Sequence, residues 1–151
     1  MVRPATGFSL VELMIVLTIA MVLLLASVPL ARSWMANARL GQAESQLLQA
    51  YAKARAVALR NPLAATGSTA AASLRLVAPR QLQVYQGSSG TLAWSATLPE
   101  GVDGWLAADV AAASAGCSNT LPLDNAGLPL AACVFYHLSA DGGDHRASRL
   151  R

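Results

Sequence analysis

The residue whose chemistry raises the first question is a carboxylate, Glu12, at the start of a long apolar segment. No charged side chain occurs from residue 13 to residue 31. About 20 apolar residues in a helix match a hydrocarbon core of roughly 30 Å, so the segment is predicted to span a membrane with Glu12 near one end. An acidic residue at the centre of such a helix costs roughly 2.5 to 3.5 kcal/mol, and its presence indicates a functional role.

Simpler interpretations of this segment explain less. A secretory signal peptide has a shorter apolar region that ends in small residues at a cleavage site, whereas here residues 26–28 lead directly into Pro29 and Arg32. A plain membrane anchor accounts for the length of the segment but leaves the charge uncompensated. A carboxylate that snorkels to the lipid head groups is the remaining alternative. The position of Glu12 therefore indicates more than an anchor.

The residues in front of Glu12 carry a specific motif. The sequence GFSLVEL at residues 7–13 resembles the class III signal of type IV prepilins and of type II secretion pseudopilins. In those families a membrane peptidase cleaves after the glycine, the new N-terminal phenylalanine is N-methylated, and the glutamate is used in assembly. The resemblance implies cleavage between Gly7 and Phe8, N-methylation of Phe8, and an assembly role for Glu12.

Electrostatics gives Glu12 a role in such an assembly. The positive N-terminal amine of Phe8 on a neighbouring subunit would pair with Glu12, and this pair would recover much of the desolvation penalty of a lone carboxylate. A subunit that enters out of register would leave the charge unpaired. Glu12 is therefore predicted to fix register and docking rather than to add stability.

Beyond the membrane segment, the pattern stays helical as far as Asn61. Apolar residues recur at spacings of three, four and seven and form one stripe: Leu40, Leu47, Tyr51, Ala54 and Ala58. The opposite side is predicted to carry Arg39, Glu44, Lys53 and Arg60. Asn61 and Pro62 are a stop signal, because the residue before a proline is disfavoured in a helix. Pro29 is predicted to kink a continuous helix, and filament pilins have a proline at this place.

After Pro62 the pattern changes to that of short strands. Strands are predicted at residues 73–78, 81–86 and 91–98, as an antiparallel meander, with a later strand at 132–138. Trp94 and Trp105 are predicted to belong to the sheet core, and residues 103–104 to form a turn. Residues 106–115 are ambiguous between a short helix and a loop.

Two helical segments extend the resemblance to one group of pilins. Residues 34–40 fit the pattern W-x-x-N-x-R-L, and residues 54–61, with the sequence ARAVALRN, are close to A-R-x-x-A-x-x-R-N, with one residue fewer before the last arginine. Both patterns resemble the GspH/FimT family of minor pilins and pseudopilins. The resemblance implies an α+β, type IV pilin-like fold, in which a long N-terminal α-helix packs on a small antiparallel β-sheet. Members of that family commonly continue through further strands after the position of Gly143, which leaves the strand count open.

The sequence contains two cysteines, Cys117 and Cys133. If the leader with Arg3 stays cytoplasmic, both lie in an oxidising compartment. They fit no CxxC redox or zinc spacing, and a disulfide is favoured over two free thiols. A bridge that closes a loop of about 15 residues contributes roughly 3 kcal/mol in the chain-entropy model.

No catalytic constellation is visible, and the sequence predicts neither an enzyme nor a cofactor. His137 and His145 have no serine or cysteine partner in a recognisable arrangement. Asp141, Asp144 and His145 could chelate a metal ion, but their number and spacing fit no metal loop. A solvated glycine-rich turn is favoured, and no metal site is predicted.

The C-terminal segment is basic, with Arg146, Arg149 and Arg151 close together. Residues 148–151 are similar to the Gly-Arg-x-Arg tail of DNA-uptake minor pilins, with serine in place of glycine. Arginines contact phosphates without sequence preference, which would give weak and salt-sensitive DNA binding. A frayed, solvated terminus is the alternative.

Together these patterns predict a processed, non-enzymatic filament subunit. The predicted organisation is a leader at 1–7, a transmembrane assembly helix at 8–31, an amphipathic helix at 32–61 and an extracytoplasmic β-rich domain at 62–151. The predicted role is a minor pilin of a type IV pilus, and the alternatives are a pseudopilin of type II secretion or a DNA-binding minor pilin in natural transformation. The expected partners are other pilins or pseudopilins, prepilin peptidase, the bacterial inner membrane and, in the last case, DNA. The C-terminal domain is expected in the periplasm.

Overall fold

A computed structural model describes residues 9–78, 80–111 and 117–151, without the side chains of residues 29 and 30. Gly7 and Phe8 lie outside the described residues, as do residues 112–115 of the segment 106–115 that the sequence left ambiguous. Within the described ranges the chain forms helix α1 (Leu10–Arg60) and the strands β1 (Ala72–Val77), β2 (Gln81–Gln86), β3 (Leu92–Thr97), β4 (Val102–Ala107), β5 (Thr120–Leu123), β6 (Phe135–Ala140) and β7 (His145–Arg149).

Helix α1 runs without a break through Pro29 and ends where the sequence predicts. Asn61 adopts a left-handed conformation, with φ of 44°, and its backbone N–H donates to the carbonyl oxygens of Val57 and Ala58. The Asn61 side chain also accepts a hydrogen bond from Ala65 N at 2.7 Å. These bonds satisfy groups that the end of a helix otherwise leaves free. A kink at Pro29 stays a prediction.

The first sheet has the strand order β3-β2-β1-β5, with every neighbouring pair antiparallel. The predicted meander is confirmed, because β1, β2 and β3 follow one another in space as in sequence, with bounds within one residue of those expected. In β2, Leu82 and Val84 are fully buried while Gln81 is exposed, as the alternation of apolar residues and glutamines requires.

A second sheet, of order β4-β6-β7, corrects the prediction of a single sheet. Asp103 and Gly104 lie inside β4 rather than in a turn. A Cβ on Gly104 would lie 2.9 Å from Leu138 Cδ2, so this glycine marks a close approach between strands. The predicted strand at 132–138 begins later, at Phe135, and is followed by β7. The arrangement as a whole is the predicted α+β, pilin-like one.

The core lies between the distal half of α1 and the two sheets. The predicted apolar stripe is buried, together with Ala43 and Ala50. Trp94 packs partly buried against the core, but Trp105 does not belong to it. Glu44, which was predicted on the opposite side of the helix, faces the second sheet and bonds Tyr136.

Asn119 joins the two sheets through hydrogen bonds. Its backbone oxygen accepts from Leu76 N in β1 at 2.8 Å, and its side-chain Oδ1 accepts from Leu106 N in β4 at 3.0 Å. Its φ of 49° is one that asparagine tolerates better than most residues. A single side chain therefore satisfies a backbone donor across the gap between the sheets.

The disulfide expected from the sequence is present. Cys117 and Cys133 form a bridge with a Cα–Cα distance of 5.9 Å across a sequence separation of 16. It joins the chain just before β5, in the first sheet, to the chain just before β6, in the second.

Candidate assembly and anion-binding sites

The N-terminal part of α1 is an apolar helix that packs against nothing in the domain. Every described side chain from residue 9 to residue 28 is exposed. The most apolar window of the helix has a mean hydropathy of 2.7, and the helix is long and apolar enough to cross a membrane by length and composition. Exposed leucine, isoleucine and valine side chains over such a length indicate a lipid or protein environment outside the domain.

Two hydroxyl side chains in this segment are satisfied by the helix itself. Thr18 Oγ1 donates to Met14 O at 2.5 Å, and Ser27 Oγ donates to Leu24 O at 2.7 Å. Such bonds remove the hydroxyl donors from a membrane environment. Glu12, in the first turn of the helix, has no hydrogen bond or ion pair with any of the described residues.

The comparison with protein families bears on this segment. The family model of the prokaryotic N-terminal methylation motif matches residues 3–28. The chain carries a class III signal, as type IV pilin-like proteins do. The signal predicted from residues 7–13 is therefore confirmed, and the motif supports a pilin-like or pseudopilin protein. The GspH/FimT type rests on residues beyond the match and stays a prediction.

No curated protein and no solved structure gave a significant match to the chain.

A polar network joins α1 to the second sheet. Tyr136 OH donates to Glu44 Oε1 at 2.6 Å, and Arg146 donates to Glu44 Oε2 at 2.7 Å. The hydrogen bonds from Tyr136 and Arg146 hold the pKa of the Glu44 carboxyl below its usual value. Burial, and then the bond to Glu44, raise the pKa of Tyr136 to about 12. The network is therefore stable with Glu44 charged and Tyr136 protonated.

The pH dependence of stability follows from these two shifts. A lowered carboxyl pKa contributes stability above the unfolded value near 4.5, and this contribution is lost as the pH falls through the native pKa. A raised phenol pKa contributes stability below pH 10, and this contribution is lost as the pH rises towards 12. The free energy of unfolding of the pilin-like domain is therefore expected to fall on both sides of a plateau.

Replacement of Glu44 by glutamine is expected to lower the free energy of unfolding by about 1 to 2 kcal/mol at pH 7, since hydrogen bonds to a part-exposed charge are screened. The variant should also lose part of the decline at acid pH. Chemical denaturation across a pH series measures both effects. Glu100→Gln, at an exposed position, is the matched control. An acid decline that is the same in Glu44→Gln as in the unchanged chain would contradict this assignment.

The basic C-terminal segment is ordered and does not form a frayed tail. Arg146 and Arg149 lie in β7, and Leu150 is buried, with its N–H bonded to Val134 O at 2.8 Å. The charge of Arg146 is compensated by an ion pair with Glu44, and its part in DNA binding stays a prediction. Arg149 and Arg151 remain exposed.

Sequence reasoning missed a third arginine beside these two. Arg55, on the exposed side of α1, lines the same groove of about 210 Å³ as Arg149 and Arg151. Its guanidinium carbon lies 5.9 Å from the centre of the Tyr51 ring. No carboxylate side chain lines this groove, so it favours an anion. No local pattern relates Arg55 to β7, because only the tertiary fold brings them together.

The two histidines are neighbours on the outer face of the second sheet. His137 Nδ1 lies 3.1 Å from His145 Nε2, and His137 Nε2 lies 3.2 Å from Asp109 O. Trp105 stacks on His137 with ring centres 5.3 Å apart. Trp105 therefore packs against a histidine rather than in the hydrophobic core. The two glycines in the turn at 141–143 are typical of a β-hairpin. A hairpin there would have predicted that His137 and His145 lie on neighbouring strands.

The turn between β6 and β7 docks on the helix. Asp144 N donates to Asn37 Oδ1 at 2.9 Å, and a Cβ on Gly143 would lie 2.9 Å from Ala36 Cβ. In the part of the chain that the structure describes, no three histidine, cysteine, aspartate or glutamate residues are placed to hold a metal ion. Asp141, Asp144 and His145 are therefore not brought together as ligands.

Proposed function

We propose that this chain is a minor pilin subunit of a type IV pilus that takes part in filament initiation or tip assembly. The observation that carries the proposal is Glu12, which has no partner among the described residues and lies in the first turn of an exposed apolar helix that bears the methylation motif. In a bundle of such helices, the amine of Phe8 on one subunit pairs with Glu12 on the next. A minor pseudopilin of type II secretion uses the same N-terminal chemistry and is the alternative.

The proposed organisation assigns one task to each part of the chain. Residues 1–7 are the leader that prepilin peptidase removes, and residues 8–31 hold the subunit in the inner membrane until assembly. Residues 32–61 carry the domain, and residues 62–151 form its β-rich part in the periplasm. The exposed residues of the helix, which include Trp34 and Met35, supply apolar area for contact with other pilins.

Processing tests the proposal directly. Mass spectrometry of the mature protein is expected to find N-methylated Phe8 as the first residue. Gly7→Val should accumulate as precursor in the membrane, because the peptidase cleaves after the glycine, while Ala5→Val is the matched control in the same leader and should mature normally. Assembled protein that still begins at Met1 would contradict the proposed processing.

DNA binding is a second candidate function, supported by the groove that Arg55, Arg149 and Arg151 line. Three guanidinium groups without an ion pair among the described residues present charge to a phosphate backbone. The formal net charge of the chain is only +3, so binding by one copy is expected to be weak. Several subunits in one filament would act together to strengthen it.

A salt series on the full chain in uncharged detergent tests this candidate. The affinity for duplex DNA is expected to fall linearly on a log-log plot, with a slope of about −0.9 per phosphate neutralised. The double variant Arg149→Ala, Arg151→Ala should bind more weakly, with a shallower slope, and should reduce DNA uptake by intact cells. Arg39→Ala, an exposed arginine elsewhere on the helix, should change neither. A double variant with normal uptake and unchanged slope would remove the DNA-binding role.

A further inference from the structure

A second groove, of about 520 Å³, lies between the C-terminal part of α1 and the edge strand β3. Val57 and Trp94 line it with apolar surface, and both are partly buried against the core. Lys53 and Arg60 line it with exposed positive charge. The two basic residues and Val57 follow one another at spacings of four and three, so they share one face of the helix.

The charge of this groove is uncompensated. No aspartate or glutamate lines it. In the described part of the chain, Lys53 and Arg60 take part in no ion pair. A ligand that fills the groove is therefore favoured if it brings carboxylates to the positions of these two side chains.

Strand β3 adds unpaired backbone groups along the same edge. β3 is the outermost strand of its sheet, and Leu98 N just beyond it donates to Arg80 O at 2.8 Å. The N–H and C=O groups of successive residues in a strand point to opposite sides, so those of Ala96 and Trp94 also point towards β2. Ser95 and Thr97 then present their N–H and C=O groups outward, and both residues are exposed.

The groove reaches β3 at Ala93 and Trp94, and an additional strand would extend from there along the free edge. β3 runs back along α1, because a Cβ on Gly87, before β3, would touch Leu63, and one on Gly101, after it, would lie 3.7 Å from Arg39. A strand added at the usual spacing of about 4.8 Å from β3 would lie over the helix face of Lys53, Val57 and Arg60. Its side chains on that face lie about 6.7 Å apart, close to the helical rise of about 6 Å over four residues.

We propose that this edge and groove bind an extended acidic segment of a partner protein by strand addition to β3. Backbone hydrogen bonds to Ser95 and Thr97 hold the segment. On the face towards α1, an acidic, an apolar and an acidic residue at alternate positions meet Arg60, Val57 and Lys53. Recognition by main-chain pairing plus pockets for alternate side chains is an established mode of peptide binding.

Other occupants of the groove fit less well. Antiparallel pairing of β3 with β3 of a second copy would bring two basic grooves together, which like-charge repulsion opposes. A single-stranded nucleic acid would match the charge, but Trp94 is packed partly buried against the core rather than presented as a stacking platform. Neither occupant uses the free backbone groups and the basic residues together.

The test uses the full chain in uncharged detergent and a labelled peptide of about ten residues, the length of a long strand. At every second position the peptide has threonine, and the central positions between the threonines are glutamate, valine and glutamate in that order. Fluorescence anisotropy at low salt measures its binding. The same peptide with glutamine for glutamate is expected to bind about tenfold more weakly. Two further peptides carry N-methyl groups on one or the other alternate set of backbone amides. One set should abolish binding and the other should leave it unchanged.

Protein variants locate the site. Lys53→Gln and Arg60→Gln are each expected to weaken binding about threefold, and Arg39→Gln, an exposed arginine on the same helix, should not. Ser95→Pro removes an outward N–H that no ladder bond uses and should weaken binding at least about tenfold, whereas Ser95→Ala should not. If the proline variant fails to fold, the N-methylated peptides still decide the question.

Several results would overturn the proposal. The first is the absence of binding up to about 1 mM peptide. The second is equal affinity of the glutamine and glutamate peptides, and the third is an equal loss of affinity in the two N-methylated peptides. Self-association lost in Ser95→Pro, or tighter binding of a single-stranded oligonucleotide than of the peptide, would assign the groove to another occupant. The proposal does not rest on filament assembly, since Glu12→Ala leaves the groove intact and should bind the peptide normally.

Discussion

Replacement of Glu12 by alanine is expected to abolish incorporation of the chain into filaments while leaving it processed and membrane-inserted. Insertion should improve, because the change removes a charge from an apolar helix. Assembly should fail because the Phe8 amine of the neighbouring subunit loses its only proposed partner. Leaving one member of a buried ion pair unpaired costs about 3 to 5 kcal/mol, which corresponds to more than about a hundredfold in the assembly equilibrium.

Cell fractionation and quantification of sheared filaments measure this effect. Glu12→Gln keeps the shape of the side chain without its charge and should fail in the same way, which separates electrostatics from packing. Leu13→Ala changes an exposed apolar neighbour on the same helix and serves as the control for small losses of helix surface. Filaments that take up Glu12→Gln at the normal level would reduce this segment to a membrane anchor.

Loss of the disulfide is expected to have the largest effect on the stability of the domain. The double variant Cys117→Ala, Cys133→Ala should lower the free energy of unfolding by about 3 kcal/mol, because the bridge closes a loop across a sequence separation of 16. The bridge also ties the strands β5 and β6 of different sheets, so their relative placement should loosen. Denaturant unfolding monitored by circular dichroism gives the value.

The reduced form of the unchanged chain is the matched control, since it should lose stability by a similar amount with no change of side chains. Processing at Gly7 should be unaffected in both, because the signal lies far from the domain in sequence. Labelling of both thiols in unfolded, unreduced protein would contradict the presence of the bridge in the cell.

Local patterns in the sequence predicted the elements that local interactions determine. The end of α1 at Asn61 and the bounds of β2 were correct, because a proline stop and strict alternation leave few alternatives. Asp103 and Gly104 were predicted as a turn from residue type, but tertiary packing of Leu138 against the glycine overrides that preference. Strand β7 was missed because its charges resemble those of a solvated tail.

The same distinction applies to the sites. The methylation motif is contiguous, and the prediction of its signal was confirmed. The pairing of Glu44 with Arg146 and the contact of His137 with His145 depend on which strand lies beside which, and single-sequence periodicity carries no such information. The grouping of Arg55 with Arg149 was out of reach for the same reason.

The docking of the β6–β7 hairpin on α1 has a consequence for the order of folding. The bonds that Arg146 donates to Glu44 and that Asp144 N donates to Asn37 close separations of 102 and 107 residues. At roughly 5 to 20 residues per second, synthesis alone keeps these partners apart for about 5 to 20 s. Strands β1 and β2 can cover the distal part of the helix early, but the contacts of residues 36–44 with the β6–β7 hairpin form only when β7 exists. The packing of α1 therefore becomes complete only after the last strand has been made, although the helix is the first element of the chain.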